Sequence, residues 1–285
     1  VVNCIYDMMY RILSEAKISY IKWDMNRSIT ECYSAALPAD RQGEVFHRYI
    51  LGVYDLYERL NTAFPYILFE SCASGGGRFD PGILYYAPQG WTSDDTDAAE
   101  RVKIQYGTSM CYPVSSMGSH VSAVPNHQLN RSTPLHTRAN VAYFGTFGYE
   151  LDLNKLSDEE IYQVKEQIKF MKKYRELIQF GSFYRLKSPF EGNETVWMTV
   201  SQDKKRALVF WYRERNLVNA DYTRVRLQGL DPDLIYKNEY NGIENYGDEL
   251  MNLGLLTTDG TAGEPTCEDA PCTDYESRIY VLTAR

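Results

Sequence analysis

The chain has 285 residues, 44% of them hydrophobic and 24% charged, which is the composition of a globular protein with one large domain or two smaller ones. Its formal net charge of −8 argues against a nucleic-acid partner, because nucleic-acid-binding proteins carry a basic surface. Since no apolar run reaches the roughly 18 residues of a membrane span, we predict no membrane partner.

The six cysteines are scattered, with no CxxC pair and no Cys/His cluster at the spacing of a zinc site. The four histidines show no HExxH motif. We therefore predict reduced thiols, a cytoplasmic location, and neither a metal nor a cofactor. Cys267 and Cys272, which share an acidic loop, are the one pair that we consider able to form a disulfide.

Helices and strands alternate in the first 180 residues. The predicted elements in chain order are a helix over residues 3–17, a strand over SYIKWD, a helix over residues 43–64, a strand from Tyr66 to Phe69, and a strand ending near Asp94 with a helix after Asp97. This alternation predicts a parallel sheet, with its active site where the strands end.

Later in the same half, YPVSS is a strand candidate, and RANVAYFGTFGYELDL is assigned to a helix followed by a strand. Ser157 and Glu160 form a capping box at the start of the clearest helix. After residue 180 the pattern changes to period two in TVWMTVSQ, RALVFWYRE, TRVRLQGL and SRIYVLTA. We therefore predict a separate antiparallel β domain, a sandwich, over residues 181–285.

Carboxylates at the predicted strand ends are candidates for glycoside hydrolysis, which needs one ionised and one protonated acid. Asp24 ends a strand in which Lys22 lies on the same face, where a cation keeps the carboxylate ionised. Asp94, Asp95 and Asp97 precede a helix, and helix capping or an ion pair with Arg101 also explains some of them. Three carboxylates are more than capping requires.

The turn SCASGGGR follows the second strand and lacks the Lys-Ser/Thr of a phosphate-binding loop and the GxSxG of a hydrolase nucleophile. Consecutive glycines are typical of close backbone approach to a ligand. Cys72 has no histidine base nearby in the sequence, so we assign it to contact or packing rather than to nucleophilic catalysis.

Three stretches together closely resemble glycoside hydrolase family 36, the bacterial-type α-galactosidases. They are KWDMNR, the segment from ESCASGGGRFD through GWTSDDTDAAERVKIQYGTSMCYP, and GSHVSAVPNHQLNRSTPLHTRANVAYFGTFGYELD. The resemblance covers residues 1–180, and the tail is similar to the C-terminal β domain of that family. It implies an α/β fold, a (β/α)8 TIM barrel with about its second half in residues 1–180, followed by an antiparallel β-sandwich domain over residues 181–285.

The same resemblance implies retaining hydrolysis of terminal α-galactosides such as melibiose and raffinose, so the predicted partners are α-galactoside oligosaccharides. It makes Asp24 the catalytic nucleophile and Asp94 the general acid/base. It further implies that Lys22, Cys72 and Gly75 contact the sugar. In a retaining enzyme the two carboxyl groups lie roughly 5–5.5 Å apart.

Family members are much longer than this chain, with an N-terminal β domain and the first barrel strands before the helix at residue 3. The tryptophan and the acidic pair that grip galactose in the family belong to that first half. We therefore expect a fragment of a longer protein, or a missing half that is supplied separately. A homo-oligomer is expected as an alternative cover for the open strand edge.

Three other functions stay open on the sequence. A galactosyl transferase of the raffinose-synthase type passes the sugar from the same covalent intermediate to an acceptor hydroxyl instead of water. An α-N-acetylgalactosaminidase is disfavoured, because Cys72 and the glycine turn leave little room for an acetamido group at the 2-position. Without the first half of the pocket, the chain would be an inactive sugar-binding or subunit-interaction fragment.

Overall fold

The computed structural model describes residues 1–26, 29–217, 222–257 and 274–285. These residues form two compact units, Val1–Asp94 and Asp95–Arg285. The candidate disulfide pair, Cys267 and Cys272, lies outside the described residues.

The first unit is a parallel sheet with helices between its strands. Its elements in chain order are α1 (Val2–Glu15), β1 (Tyr20–Asp24), α2 (Val45–Ala63), β2 (Leu68–Cys72), α3 (Pro81–Tyr86) and β3 (Gln89–Gly90). The sheet order is β1-β2-β3, with both pairs parallel as the alternation predicts. Strand β2 runs on to Cys72, three residues beyond the predicted end at Phe69, because it stays paired with β1 along its whole length.

One face of this sheet is covered by the helices. Trp23 lies on that face and packs against Tyr57 and Phe69, with ring centroids 5.0 and 6.4 Å away. Because side chains alternate along a strand, the neighbours of Trp23 in β1, Lys22 and Asp24, project from the opposite face. The helices therefore build the core, and the opposite face carries the polar groups.

The second unit begins with three helices and a parallel pair of strands. These are α4 (Ala98–Thr108), β4 (Gly118–Ser122), α5 (Leu135–Ala142), β5 (Thr146–Glu150) and α6 (Asp158–Phe180). The predicted capping box is present at the start of α6, where Ser157 and Glu160 bond reciprocally. The strand predicted in YPVSS is wrong: Val114–Ser116 is a 3-10 turn, because the backbone N–H and the hydroxyl of Ser116 both donate to the carbonyl of Pro113.

Antiparallel strands make up the rest of the second unit. They are β6 (Ser182–Lys187), β7 (Glu194–Val200), β8 (Arg206–Arg213), β9 (Arg224–Val225), β10 (Ile235–Asn238), β11 (Glu244–Tyr246), β12 (Leu255–Leu256) and β13 (Glu276–Ala284), with α7 (Gly247–Asn252) before β12. Six of them form one sheet in the order β11-β10-β13-β8-β7-β6, and β12 pairs with β9.

This antiparallel sheet has a buried side chain layer on each face. On one face Trp197 stacks on Phe210, with ring centroids 4.5 Å apart, in the cluster that also contains Ile178 of α6. On the other face the cluster includes Val225 and Leu255 of the short strand pair. Compact packing thus crosses the predicted boundary after residue 180, and the division into two domains stays a prediction.

Across the described ranges, none of the helices combines the length and the apolar character that crossing a membrane requires.

Candidate active site

Two strand ends bring Asp24 and Cys72 together. They are register partners at the carboxyl ends of β1 and β2, and the Cys72 thiol hydrogen-bonds to the Asp24 carboxylate. The Asn26 amide donates to Oδ2 of Asp24 over 2.6 Å. The backbone N–H of Met25 donates to the carbonyl of Cys72 over 3.1 Å, and its proximity also lowers the pKa of the Asp24 carboxyl group. Asp24 is thus an exposed carboxylate that lies beside hydrogen-bond donors from two strand ends.

These donors set the ionisation of Asp24. Desolvation is the largest single influence on Asp24 and raises its pKa, but the hydrogen bonds from Cys72, Asn26 and Met25, with the charge of Lys22, together outweigh it and hold the pKa below its ordinary value of 3.8. The carboxylate is therefore ionised at neutral pH. Burial raises the pKa of Cys72 to about 11, so the thiol keeps its proton and acts as a hydrogen-bond donor.

The glycine turn after β2 is shaped by backbone conformations that favour glycine. Ser74 and Gly75 have φ angles of 50° and 84°. A Cβ on Gly75 would lie 2.6 Å from Cα of Ser93 and 3.1 Å from the backbone nitrogen of Asp94. Only glycine allows this approach, so the turn carrying Cys72 lies directly against the loop carrying Asp94.

Further bonds anchor that turn to the end of β1. The Asn26 side chain accepts from the backbone N–H of Ser74 over 2.7 Å, and the Arg78 guanidinium donates to the carbonyls of Cys72 and Met25 over 2.6 and 3.2 Å. Arg78 therefore ties the ends of both strands together, and Asn26 links the turn to the carboxylate of Asp24.

The three aspartates of WTSDDTDA have separate partners. Asp97 caps α4, accepting from the backbone of Ala99 and Glu100, and forms an ion pair with Arg131. Asp95 accepts from the backbone N–H of Asp97 over 3.0 Å.

Asp94 is the member of this cluster that stands outside the capping arrangement. It is exposed, and its Oδ1 accepts from the indole Nε1 of Trp91 over 3.0 Å. This agrees with the expectation that capping does not use all three carboxylates.

Lys22 stands in a polar row that crosses the three strands. It is in register with Glu70, which is in register with Gln89. Glu70 is 1% exposed. Its Oε2 accepts hydrogen bonds from the Gln89 amide, over 2.8 Å, and from the Tyr20 hydroxyl. Its Oε1 lies 3.7 Å from Nζ of Lys22. The same Nζ lies 4.3 Å from the ring centroid of Trp91.

The structure thus brings four of the five predicted residues, Lys22, Asp24, Cys72 and Gly75, into one hydrogen-bonded and packed group. The fifth, Asp94, joins it through Trp91 and the close approach of Gly75. The sequence indicated the turn from Glu70 to Gly77 as a strand end of chemical interest without giving Glu70 a role, and sequence reasoning missed Asn26, Trp91 and Arg78 as parts of this group. Period-two spacing from Cys72 places Glu70 on the same face of β2. Nothing in the sequence indicated that the side chains of Asn26, Trp91 and Arg78 extend to this group.

In the described part of the chain, no three His, Cys, Asp or Glu side chains form a group that could hold a metal ion.

Two family models match the chain. Residues 1–181 match Melibiase, and residues 194–282 match the glycosyl hydrolase family 36 C-terminal domain. Among curated proteins, the chain is 54% identical over 255 residues to alpha-galactosidase AgaA of Geobacillus stearothermophilus, covering 90% of this chain and 35% of that protein. It is 50% identical over 282 residues to alpha-galactosidase 1 of Pediococcus pentosaceus, covering 99% of this chain and 37% of that protein.

Among solved structures, the crystal structure of the Geobacillus stearothermophilus AgaA matches with a TM-score of 0.93 and 50% identity, covering 100% of this chain and 38% of that one. Two variants of AgaA have been crystallised with oligosaccharides, one with an Asp-to-Asn change bound to raffinose and one with an Asp-to-Ala change bound to stachyose. The two substituted aspartates lie 70 positions apart in that protein. The chain studied here spans little more than a third of the length of these relatives and belongs to glycoside hydrolase family 36, the family of the melibiases.

Proposed function

We propose that this chain carries the catalytic pair of a retaining α-galactosidase that hydrolyses terminal α-galactosides of the melibiose and raffinose type. The observation that carries the proposal is that the turn containing Gly75 contacts both the end of β1, which carries Asp24, and the loop that carries Asp94. Asp24 and Asp94 are 70 positions apart, the same separation as the aspartates substituted in the raffinose and stachyose complexes of AgaA. This equal spacing supports the assignment of both residues.

The reaction has two displacements at the anomeric carbon of galactose. In the first, an ionised oxygen of Asp24 bonds to that carbon as the bond to the leaving oxygen breaks, and Asp94 gives that oxygen a proton. In the second, Asp94 takes a proton from water, the water oxygen bonds to the same carbon, and the ester to Asp24 breaks. Because each displacement inverts the carbon, galactose leaves in the α configuration of the substrate.

The environments of the two carboxyl groups support this division of roles. Asp24 has a lowered pKa, which suits a group that must be ionised when it attacks. Asp94 accepts the indole N–H of Trp91, a neutral donor, through Oδ1.

We assign Lys22 and Cys72 to sugar binding, because the Lys22 ammonium and the Cys72 thiol flank the nucleophile on the same face of the sheet. In addition to its predicted sugar contact, Gly75 helps to position Asp94, because a side chain at residue 75 would displace the loop that carries Asp94.

For the architecture, we propose about the second half of a (β/α)8 barrel over residues 1–180 and an antiparallel β-sandwich domain over residues 181–285. The parallel sheet β1-β2-β3 and the separate parallel pair β4-β5, with helices between the strands, support the first part. The antiparallel sheet, with the β9-β12 pair packed on one face, supports the second. A cytoplasmic location and a homo-oligomer stay predictions from the sequence.

The test is hydrolysis of raffinose and of an aryl α-galactoside, by this chain and by a longer protein that contains it, with Asp24→Asn as the control. We expect NMR to detect α-galactose as the first product, and a first product in the β configuration would overturn retention. Full activity of the longer protein with Asp24→Asn would overturn the nucleophile assignment.

The same assay separates the alternatives. Galactosyl transfer to a sugar acceptor in excess of free galactose would identify a transferase of the raffinose-synthase type. Turnover by the longer protein without turnover by the 285-residue chain would make this chain, by itself, an inactive sugar-binding or subunit fragment.

A further inference from the structure

Trp91 contacts two of the proposed site residues at once. Its indole Nε1 lies 3.0 Å from Oδ1 of Asp94, and its ring lies 4.3 Å from Nζ of Lys22. The side chain is 4% exposed, so its position is fixed by packing. A buried aromatic residue that touches two polar site residues has a role beyond filling space.

We propose that Trp91 is a positioning residue that selects which oxygen of Asp94 carries the catalytic proton. The proposal rests on the proposed function, because it assumes that Asp94 is the general acid/base. In this proposal Trp91 acts through its contacts with Asp94 and Lys22.

The chemistry of the indole gives the reason. An indole N–H donates a hydrogen bond and has no lone pair with which to accept one. The Asp94 oxygen that it faces, Oδ1, must therefore remain an acceptor whether the carboxyl group is ionised or protonated. When Asp94 is protonated, its proton sits on Oδ2. Trp91 thus keeps one oxygen occupied and leaves the other to exchange the proton with the leaving group or with water.

The ring face of Trp91 contacts Lys22, the cation beside the proposed nucleophile. The Lys22 ammonium lies over it in a cation–π contact and faces Oε1 of the buried Glu70 at 3.7 Å. Lys22 also lowers the pKa of Asp24 through its charge. One indole therefore holds the acid/base through its N–H and supports, through its ring, the cation beside the nucleophile.

Trp91→Phe separates these two contacts, because phenylalanine keeps an aromatic face for Lys22 and removes the N–H that Asp94 accepts. In the longer active protein, we expect kcat/KM for raffinose, whose leaving oxygen needs a proton, to fall about ten- to hundredfold. For 2,4-dinitrophenyl α-galactoside, whose leaving group departs without a proton, we expect less than about a threefold change.

Trp23→Phe is the matched control, since Trp23 packs against Tyr57 and Phe69 on the opposite face of β1. A loss of packing alone lowers kcat/KM for both substrates by the same factor. If Trp91→Phe lowers kcat/KM for raffinose and for 2,4-dinitrophenyl α-galactoside by the same factor, the proposal is overturned. In an Asp94→Ala background we expect Trp91→Phe to add less than about a twofold further loss for raffinose, because the acid that it positions is already absent.

A readout independent of activity uses the 285-residue chain itself. The chain has four tryptophans, and 15N labelling gives each indole N–H its own NMR signal, with that of Trp91 assigned by its loss in Trp91→Phe. We expect Asp94→Ala to shift the Trp91 signal upfield and to leave those of Trp23, Trp197 and Trp211 in place. An unmoved Trp91 signal would overturn the contact. If the longer protein hydrolyses neither substrate, the proposed function fails, whatever the indole signal shows.

Discussion

Nζ of Lys22 lies 3.7 Å from Oε1 of Glu70, a buried carboxyl oxygen that accepts no hydrogen bond in the described residues. The other oxygen, Oε2, is satisfied by Gln89 and by the Tyr20 hydroxyl. Burial, together with Glu70, raises the pKa of Tyr20, so its hydroxyl keeps its proton and remains a donor. Lys22 therefore supplies a positive charge that faces this buried carboxyl group along the polar row.

We predict that Lys22→Met lowers the free energy of unfolding of the chain by about 1–3 kcal/mol, because it leaves Glu70 buried without its cation. Lys22 is about one-third exposed, so solvent screening keeps the loss in the lower part of the range for buried pairs. Urea unfolding followed by circular dichroism measures the change.

The matched control is the same substitution in a Glu70→Gln background. A neutral amide needs no counter-ion, so Lys22→Met should then cost less than about 0.5 kcal/mol. Equal costs in both backgrounds would mean that Lys22 stabilises the chain through some interaction other than the one with Glu70.

We predict that Cys72→Ala moves the acid limb of the pH profile of kcat/KM to higher pH. The thiol of Cys72 donates to the ionised form of Asp24 and helps to lower its pKa, so the pKa of Asp24 rises when the donor is removed. In the chain itself, the carboxyl-carbon NMR shift of Asp24 followed over pH gives the same pKa directly. Cys111→Ala, a change at an exposed thiol, should leave the limb in place.

We predict that iodoacetamide at pH 8 modifies Cys4 and Cys111 and spares Cys72. The first two are exposed, whereas Cys72 is 4% exposed and has a pKa of about 11, so only about one thousandth of it is thiolate at that pH. Peptide mass spectrometry after timed quenching measures the three rates. Labelling of Cys72 as fast as Cys111 would contradict both the burial and the raised pKa.

We predict that Gly75→Ala destabilises the chain by about 1–3 kcal/mol and lowers the activity of the longer protein. The φ of 84° is costly for alanine, and the new Cβ would meet the backbone of Ser93 and Asp94. Gly43→Ala is the control, since a Cβ there meets no atom within 4 Å, and it should change stability by less than about 0.5 kcal/mol. Equal effects of the two substitutions would argue against the close approach at Gly75.

Much of the fold was predictable because hydrophobic periodicity records which face of an element is buried. Within the predicted SYIKWD, the strand runs from Tyr20 to Asp24, and α6 begins at the capping box of Ser157 and Glu160. YPVSS was predicted as a strand and is a 3-10 turn, because the carbonyl of Pro113 captures both donors of Ser116. A hydrophobic pattern over five residues contains no information about such a local hydrogen bond.

The sequence by itself determined the family and the identity of the candidate residues, since motif and strand-end position are properties of the chain order. Which partners these residues have was decided by the tertiary structure alone. Trp91 and Asp94 are close in sequence, but Lys22 and Glu70 are 48 positions apart and meet because parallel strands β1 and β2 place them in register. Hydrogen bonds and ion pairs depend on distances of a few ångströms across the sheet, and those distances exist only once the chain has folded.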